Sequence, residues 1–175
     1  MAARIAGVAL VLCAVACALP AQPAQAYELL GRVWPDRTIT YNAATDRDRA
    51  ASLYAARAWN RSGAGVRFRR TTRRGDVIVR AGGSACGGVA ILGGRRAEVR
   101  LGRCGPDLTK LVATHEFGHV LGFGHERRRC ALMNIALDQT GTPIRCNQRP
   151  LAFWLADPLR ADDERGARAM NRLRR

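Results

Sequence analysis

His115, His119 and His125 are the only histidines in the chain, and they fall inside one short window. His115-Glu116-Phe117-Gly118-His119 is an HExxH sequence. On a helix, residues i and i+4 lie about 40° apart around the axis, so both imidazoles point the same way. Two nitrogen ligands then face one ion without further folding. Glu116 stands one position round, beside the ion but not needed as a ligand. Gly122 follows His119, and glycine can adopt the left-handed conformation that turns a chain sharply. Phe123-Gly124 then brings His125 back as a third ligand. Three neutral imidazoles suit Zn²⁺ and leave a fourth position for water. Zinc in such a site lowers the pKa of that water and polarises a carbonyl oxygen. Glu116 is placed to take the water's proton and pass it to a leaving amine. The chemistry is peptide-bond hydrolysis without a covalent intermediate. A reading of the three histidines as ordinary core or surface groups leaves the whole HExxHxxGxxH pattern unexplained.

A helix must carry the first two ligands. Pro106-Asp107 opens one that runs to about Leu121, with Asp107 in its positive first turn and Gly122 and Gly124 as stops. Upstream, Arg32 to Tyr41 reads as a lead-in and first strand. Asp46 to Ser62 reads as a long helix, with Ala51, Tyr54, Ala55, Ala58 and Trp59 on one apolar stripe. Val66–Phe68, Asp76–Arg80 and Ala97–Leu101 read as strands, and Gly82–Gly88 as a glycine-rich loop. Arg127 to Pro158 has little periodicity and reads as loop. Asp162-Asp163-Glu164 begins a last helix with Gly166, Met170 and Leu173 on one face. This order predicts one mixed α/β or α+β domain.

Hydrophobic residues make up 47% and charged residues 25%, the balance of a folding chain and not a disordered one. Lys+Arg is 29 against Asp+Glu 14, and Lys110 is the single lysine. The composition excludes an acidic tail, a collagen, a coiled coil and a polytopic membrane protein. A charge of +15 could mean nucleic-acid binding, but aromatics are 6% and no nucleic-acid motif accompanies it. Arginine in place of lysine points to a solvated, compositionally biased surface, so no specific nucleic-acid partner is expected. Its positive field would favour acidic substrates or anionic cell walls.

Residues 1–26 read as a secretory signal peptide: Arg4, an apolar run from Ile5 to Leu19, then Ala24-Gln25-Ala26 as the cleavage site. The run is too short to span a bilayer, and Ala14-Val15-Ala16-Cys17 is a poorer, lipoprotein-type site. Cleavage leaves residues 27–175 as a single exported catalytic domain with no stable membrane insertion. Cys13 and Cys17 leave with the signal, and Cys86, Cys104, Cys130 and Cys146 remain. An even number in an exported chain suggests two disulfides, and no CxxC spacing suggests a Cys-ligated zinc. Of the three connectivities, Cys86–Cys104 with Cys130–Cys146 closes one moderate loop on each side of the histidines.

HEFGHVLGFGHE, residues 115–126, resembles the zinc motif of the metzincin clan of metalloproteases. Cys130-Ala131-Leu132-Met133-Asn134 supplies the clan's methionine turn and is most similar to the matrixin branch. Weaker matches are Trp34-Pro35, Ile39-Thr40-Tyr41, Ala58-Trp59-Asn60, Asp76-Val77-Ile78-Val79 and the Asp163 helix. The resemblance implies a zincin fold of the α+β class: a small twisted sheet, a long N-terminal helix, the zinc helix, a Met-turn and a C-terminal helix. It implies one catalytic Zn²⁺, a floor formed by Met133 beneath it, and an edge strand around Val99 that pairs with an extended substrate. Arg127-Arg128-Arg129 would lie near the primed side of that substrate and favour acidic residues there. Phe153 and Trp154 read as core.

Some residues depart from the matrixin pattern. Glu126 stands where matrixins usually have Ser; it is similar to the astacin branch, where that glutamate pairs with the mature N-terminus. Astacins place a tyrosine two residues after the methionine, and here Ile135 stands there. No histidines remain for a second, structural zinc. Structural calcium is unsupported, since the strand region offers few carboxylates beyond Asp76 and Glu98. Arg103-Cys104-Gly105-Pro106-Asp107 resembles the matrixin cysteine switch, but it lies just before the zinc helix, and Cys104 reads as half a disulfide. The expectation is therefore a secreted, monomeric zinc metalloendopeptidase acting on peptide or protein. The rival readings are a narrow-specificity cell-wall or processing zinc hydrolase, and a non-catalytic basic binding module on the same fold.

Overall fold

The structure is a computed structural model, and it describes residues 27–31, 34–134, 146 and 149–173. Cys13, Cys17, the expected signal peptide and Ile135 lie outside the described residues. Five strands form one sheet: β1 (Thr38–Ala43), β2 (Arg67–Arg70), β3 (Val77–Ala81), β4 (Gly88–Gly93) and β5 (Arg96–Leu101). Helices α1 (Asp46–Arg61), α2 (Pro106–Leu121), α3 (Leu151–Ala156) and α4 (Ala161–Arg172) accompany it. The spatial order is β2-β1-β3-β5-β4. β1 is parallel to β2 and β3, β3 is parallel to β5, and β4 alone runs antiparallel, at the edge beside β5.

The alternation expected of half-buried strands is present. Ile39 and Tyr41 of β1, Val77 and Val79 of β3, and Ala97, Val99 and Leu101 of β5 face the helices and are buried. Ile78, Arg80, Arg96, Glu98 and Arg100 take the other face. α1 begins at an N-cap, where the Thr45 hydroxyl accepts from the Asp48 amide. Its stripe of Ala51, Ala55, Ala58 and Trp59 is buried, and Tyr54, the fifth member, is half-buried. The Trp59 ring lies 5.0 Å from that of Phe123, and its Nε1 donates to the Thr114 carbonyl of α2 at 2.7 Å. That bond satisfies the indole N–H of a fully buried tryptophan.

Three expectations are corrected. The glycine-rich stretch ends in a strand, β4, for which the sequence gives no signal. α3 interrupts the segment from Arg127 to Pro158 that reads as loop. Val99 is not at a sheet edge: β5 is paired on both sides and Val99 is fully buried, so the edge strand is β4. A parallel strand covered by helices carries apolar residues inward whether or not it is last in the sheet, so Val99's pattern could not tell an edge from an interior position.

Candidate metal centre

α2 presents His115 and His119, the first two expected ligands, from one face. Its C-cap Gly122 sits at φ 110°, the left-handed conformation, and the amides of Gly122 and Phe123 both donate back to the Gly118 carbonyl. The turn is held from a second direction by residues far away in sequence. The Leu30 amide donates to the Gly122 carbonyl at 2.8 Å, and the Gly124 amide to the Glu28 carbonyl at 2.9 Å. Leu29 and Phe123 thereby form an antiparallel bridge. His125 leaves this clamp pointing back at α2.

The three Nε2 atoms converge. His115 Nε2 lies 3.1 Å from His119 Nε2 and 3.3 Å from His125 Nε2. Tetrahedral nitrogen ligands about 2.0–2.1 Å from zinc stand roughly 3.3–3.4 Å from one another, so the spacing fits. The tautomers fit as well. His115 Nδ1 faces the Leu132 carbonyl at 2.8 Å and His119 Nδ1 faces the Phe123 carbonyl at 2.8 Å. A carbonyl only accepts, so each Nδ1 carries the proton and each Nε2 presents a lone pair. Lone pairs at 3.1 Å repel unless a cation lies between them. Burial, and then the neighbouring His119, push the His115 pKa down to about 3; burial also lowers those of His119 and His125. Neutral imidazoles are what a divalent ion requires. Among the described residues, these three form the cluster able to hold an ion. The carboxylates weighed for calcium are engaged elsewhere, Asp76 by Thr40 and Glu98 by Arg100.

Glu116 is buried beside the triad, and burial raises its carboxyl to about 7 against the pull of an Ala90 N–H that donates to it. Edge strand β4 therefore reaches the carboxylate directly. Gly88 of β4 leaves the carboxylate its space, because a Cβ on it would stand 2.7 Å from Glu116 Cγ and Oε1. Gly118, between the first two ligands, is equally constrained: a Cβ would collide with Met133 Sδ and stand 2.8 Å from Trp59. Met133 is thus packed against Gly118 of α2. The turn that carries it is anchored by Asp163 of α4. Asp163 Oδ2 accepts from the Leu132 amide at 2.8 Å and Oδ1 from the Met133 amide at 3.2 Å. Leu132 in turn offers its carbonyl to His115, so Asp163 positions the His115 ring through one intervening residue.

Glu126 is buried and ties the histidine loop to the same turn. Its amide donates to the Met133 carbonyl at 2.7 Å, while its Oε1 accepts from the amides of Arg128 and Arg129. Its Oε2 is buried with no hydrogen-bond partner among the described residues. Arg127, Arg128 and Arg129 are exposed, and the Arg127 charge acts on His125. Disulfides join Cys86 to Cys104 and Cys130 to Cys146. Cys104 is therefore committed to a bond and cannot serve as a switch. Trp154 is buried and Phe153 lies at the surface, so the core reading holds for the tryptophan alone.

Gly88, Gly118, Trp59 and Asp163 shape the site without belonging to the histidine motif's ligand set or its base. Gly118 carries a signal in the sequence, since glycine inside a helix costs about 1 kcal/mol and persists where packing demands it. Gly88 carries none, and the resemblance marks the Asp163 helix but not the partners of its carboxylate, because those partners are distant in the chain.

The high choriolytic enzyme 1 of the medaka fish Oryzias latipes, a hatching enzyme zinc-protease, has a similar structure: TM-score 0.51, 19% identity, covering 77% of this chain and 89% of that one. Two structures of myroilysin are also similar. One has TM-score 0.43 and 22% identity over 60% of this chain, and the other TM-score 0.47 and 23% identity over 63%. The chain spans 51% of the first myroilysin structure and 60% of the second. No curated protein matches the chain in sequence. The family model for Astacin, a peptidase family, matches residues 27–134. Ala131-Leu132-Met133 resembles the matrixin branch, but the family that matches is the one indicated by Glu126. The chain belongs to the astacin family of metzincin zinc peptidases.

Proposed function

We propose that this chain is an exported, monomeric zinc metalloendopeptidase, with residues 27–175 as its catalytic domain after cleavage behind Ala26. The observation that carries the reading is the convergence of three histidine Nε2 atoms beside a buried carboxylate. His115, His119 and His125 would hold a zinc ion, which would supply Lewis acidity for the scissile carbonyl and for a water molecule. Glu116 receives the proton from the attacking water on its carboxylate and delivers it to the amine as the peptide bond breaks. Its burial raises the carboxyl pKa, which favours holding the proton between the two steps. A site that binds zinc only for structure has no use for such a group. β4 offers an edge along which an extended peptide can add as a further strand. Two disulfides suit an oxidising compartment. Among the described residues, no helix is long and apolar enough to cross a membrane.

Arg127, Arg128 and Arg129 next to His125 give the cleft a preference for acidic residues close to the scissile bond. A short peptide series assayed at low and high salt checks that; equal rates for acidic and basic peptides remove it. The whole reading is tested by Glu116→Gln. Hydrolysis of a mixed peptide library falls by roughly 10²–10⁴-fold, with zinc content unchanged. Full activity in that variant overturns the assignment.

A further inference from the structure

The outer face of the sheet, away from the metal centre, carries a groove of about 460 Å³. Four arginines line it, Arg73, Arg74, Arg80 and Arg96, with Ile78 and Ile91 contributing apolar surface. Among the described residues the acidic member of its lining is Glu98, which pairs with Arg100 at 2.7 Å and also acts on Arg80. The strand register explains the clustering. Arg80 pairs with Arg100, and Gly93 with Arg96, all on one pleat face. Arg80 and Arg100 are opposed in this register, with Glu98 acting on both. Four arginines against one carboxylate among the described lining residues still leave the groove cationic, which favours an anionic occupant.

β4 connects this groove to the metal centre. Its pleat sends Ala90 and Leu92 toward the core and Val89 and Ile91 outward, where both are exposed. Gly88, at one end of the strand, touches Glu116; Gly93, at the other, lines the groove. At about 3.3 Å per residue, the two ends are roughly 17 Å apart. A peptide that adds to β4 as a strand points alternate side chains to the outer face. Gly93 has no side chain to obstruct them, and even a Cβ there would meet only the Arg96 carbonyl, at 3.9 Å.

We propose that this arginine groove is an exosite for an acidic segment of the polypeptide substrate, about five residues from the scissile bond. The inference rests on the peptidase reading given above. Guanidinium groups match carboxylates in a bidentate fork, and the isoleucines accommodate aliphatic residues between the acids. A single-stranded nucleic acid is disfavoured, because among the described residues no aromatic side chain of the lining could stack on a base.

The test compares three substrates with one cleavable core: untailed, carrying four glutamates five residues before the scissile bond, and carrying them five residues after it. For the wild-type enzyme at low salt, one tailed substrate shows a KM about five- to tenfold below that of the untailed peptide, with kcat unchanged; such gains are typical of several exposed ion pairs. The advantage fades at high salt. In the double variant Arg74→Ala/Arg80→Ala the advantage is lost, while the untailed peptide is cleaved as before. Fluorescence anisotropy of an uncleavable glutamate-rich peptide reports the same loss independently of catalysis. Equal KM for all three substrates overturns the exosite, as does an equal loss on tailed and untailed peptides in the variant. So does a groove that holds a DNA oligonucleotide through these arginines while the glutamate tails do nothing. If the untailed peptide is not cleaved at all, the peptidase reading itself has failed.

Discussion

Replacing Gly88 by alanine is a one-methyl perturbation placed against the proposed general base. The added Cβ would lie 2.7 Å from Glu116 Cγ and Oε1, and 2.8 Å from Val112 Cγ1. Carbon atoms in contact rest at about 3.5–4.0 Å, so the glutamate arm must retreat by roughly 0.8 Å or more. Both obstacles are side chains and not backbone, so the strand can stay in place and the carboxylate gives way. A displacement of about 1 Å at a reacting group costs on the order of 10²-fold in rate. Gly88→Ala should therefore lower kcat about 100-fold, a barrier increase of about 2.7 kcal/mol, with little change in KM. Overpacking costs about 1–3 kcal/mol in a rigid core; with movable neighbours the loss of stability should be near ~1 kcal/mol. The assay is steady-state cleavage of a short peptide, with zinc content and Tm measured on the same preparations. Gly83→Ala is the control, since a Cβ there meets nothing within 4 Å, and it should behave as wild type. Wild-type kcat in Gly88→Ala would show that β4 does not set the position of Glu116.

Asp163→Ala leaves the buried amides of Leu132 and Met133 without their acceptor. It should cost about 3 kcal/mol and lower Tm by roughly 6–12 °C, read by calorimetry on the zinc-loaded protein; an unchanged Tm would deny Asp163 its anchoring role. Cys86 and Cys104 close a loop with sequence separation 18, and Cys130 and Cys146 one of 16. Serine at either pair should cost about 3 kcal/mol in denaturant titrations. Chelation should lower Tm reversibly, and added zinc should restore it by an amount that grows with the logarithm of free zinc. A Tm indifferent to chelator would mean that no ion is bound at the triad.

The metal centre is legible in the sequence because its geometry is local. An i, i+4 pair on a helix and a glycine turn define three ligands almost without reference to the rest of the fold. β4 is not legible. Its sequence, Gly-Val-Ala-Ile-Leu-Gly, has apolar residues at successive positions and glycines at both ends, so the period-two signal is absent. It is a strand because β5 offers it a full antiparallel ladder. α3 is only 6 residues long, too short for a helical period to register. Asp163 illustrates a third limit. The resemblance places its helix, but only the fold brings its carboxylate to amides 30 and 31 residues away. The edge position expected of Val99 fails because strand order is a long-range property.

The clamp between residues 28–30 and residues 122–124 bears on the order in which the enzyme is assembled. A nascent chain exposes the first partner early and completes the second only after the sheet and both long helices have been synthesised. Until the two meet, His115 and His119 alone are preorganised, and a two-nitrogen site holds zinc weakly. On the proposed zinc reading, capture of an ion by all three histidines would have to follow this contact. Afterwards, a protease nick or trimming event in the leading segment would act at a distance, loosening His125 and releasing the ion without touching any ligand.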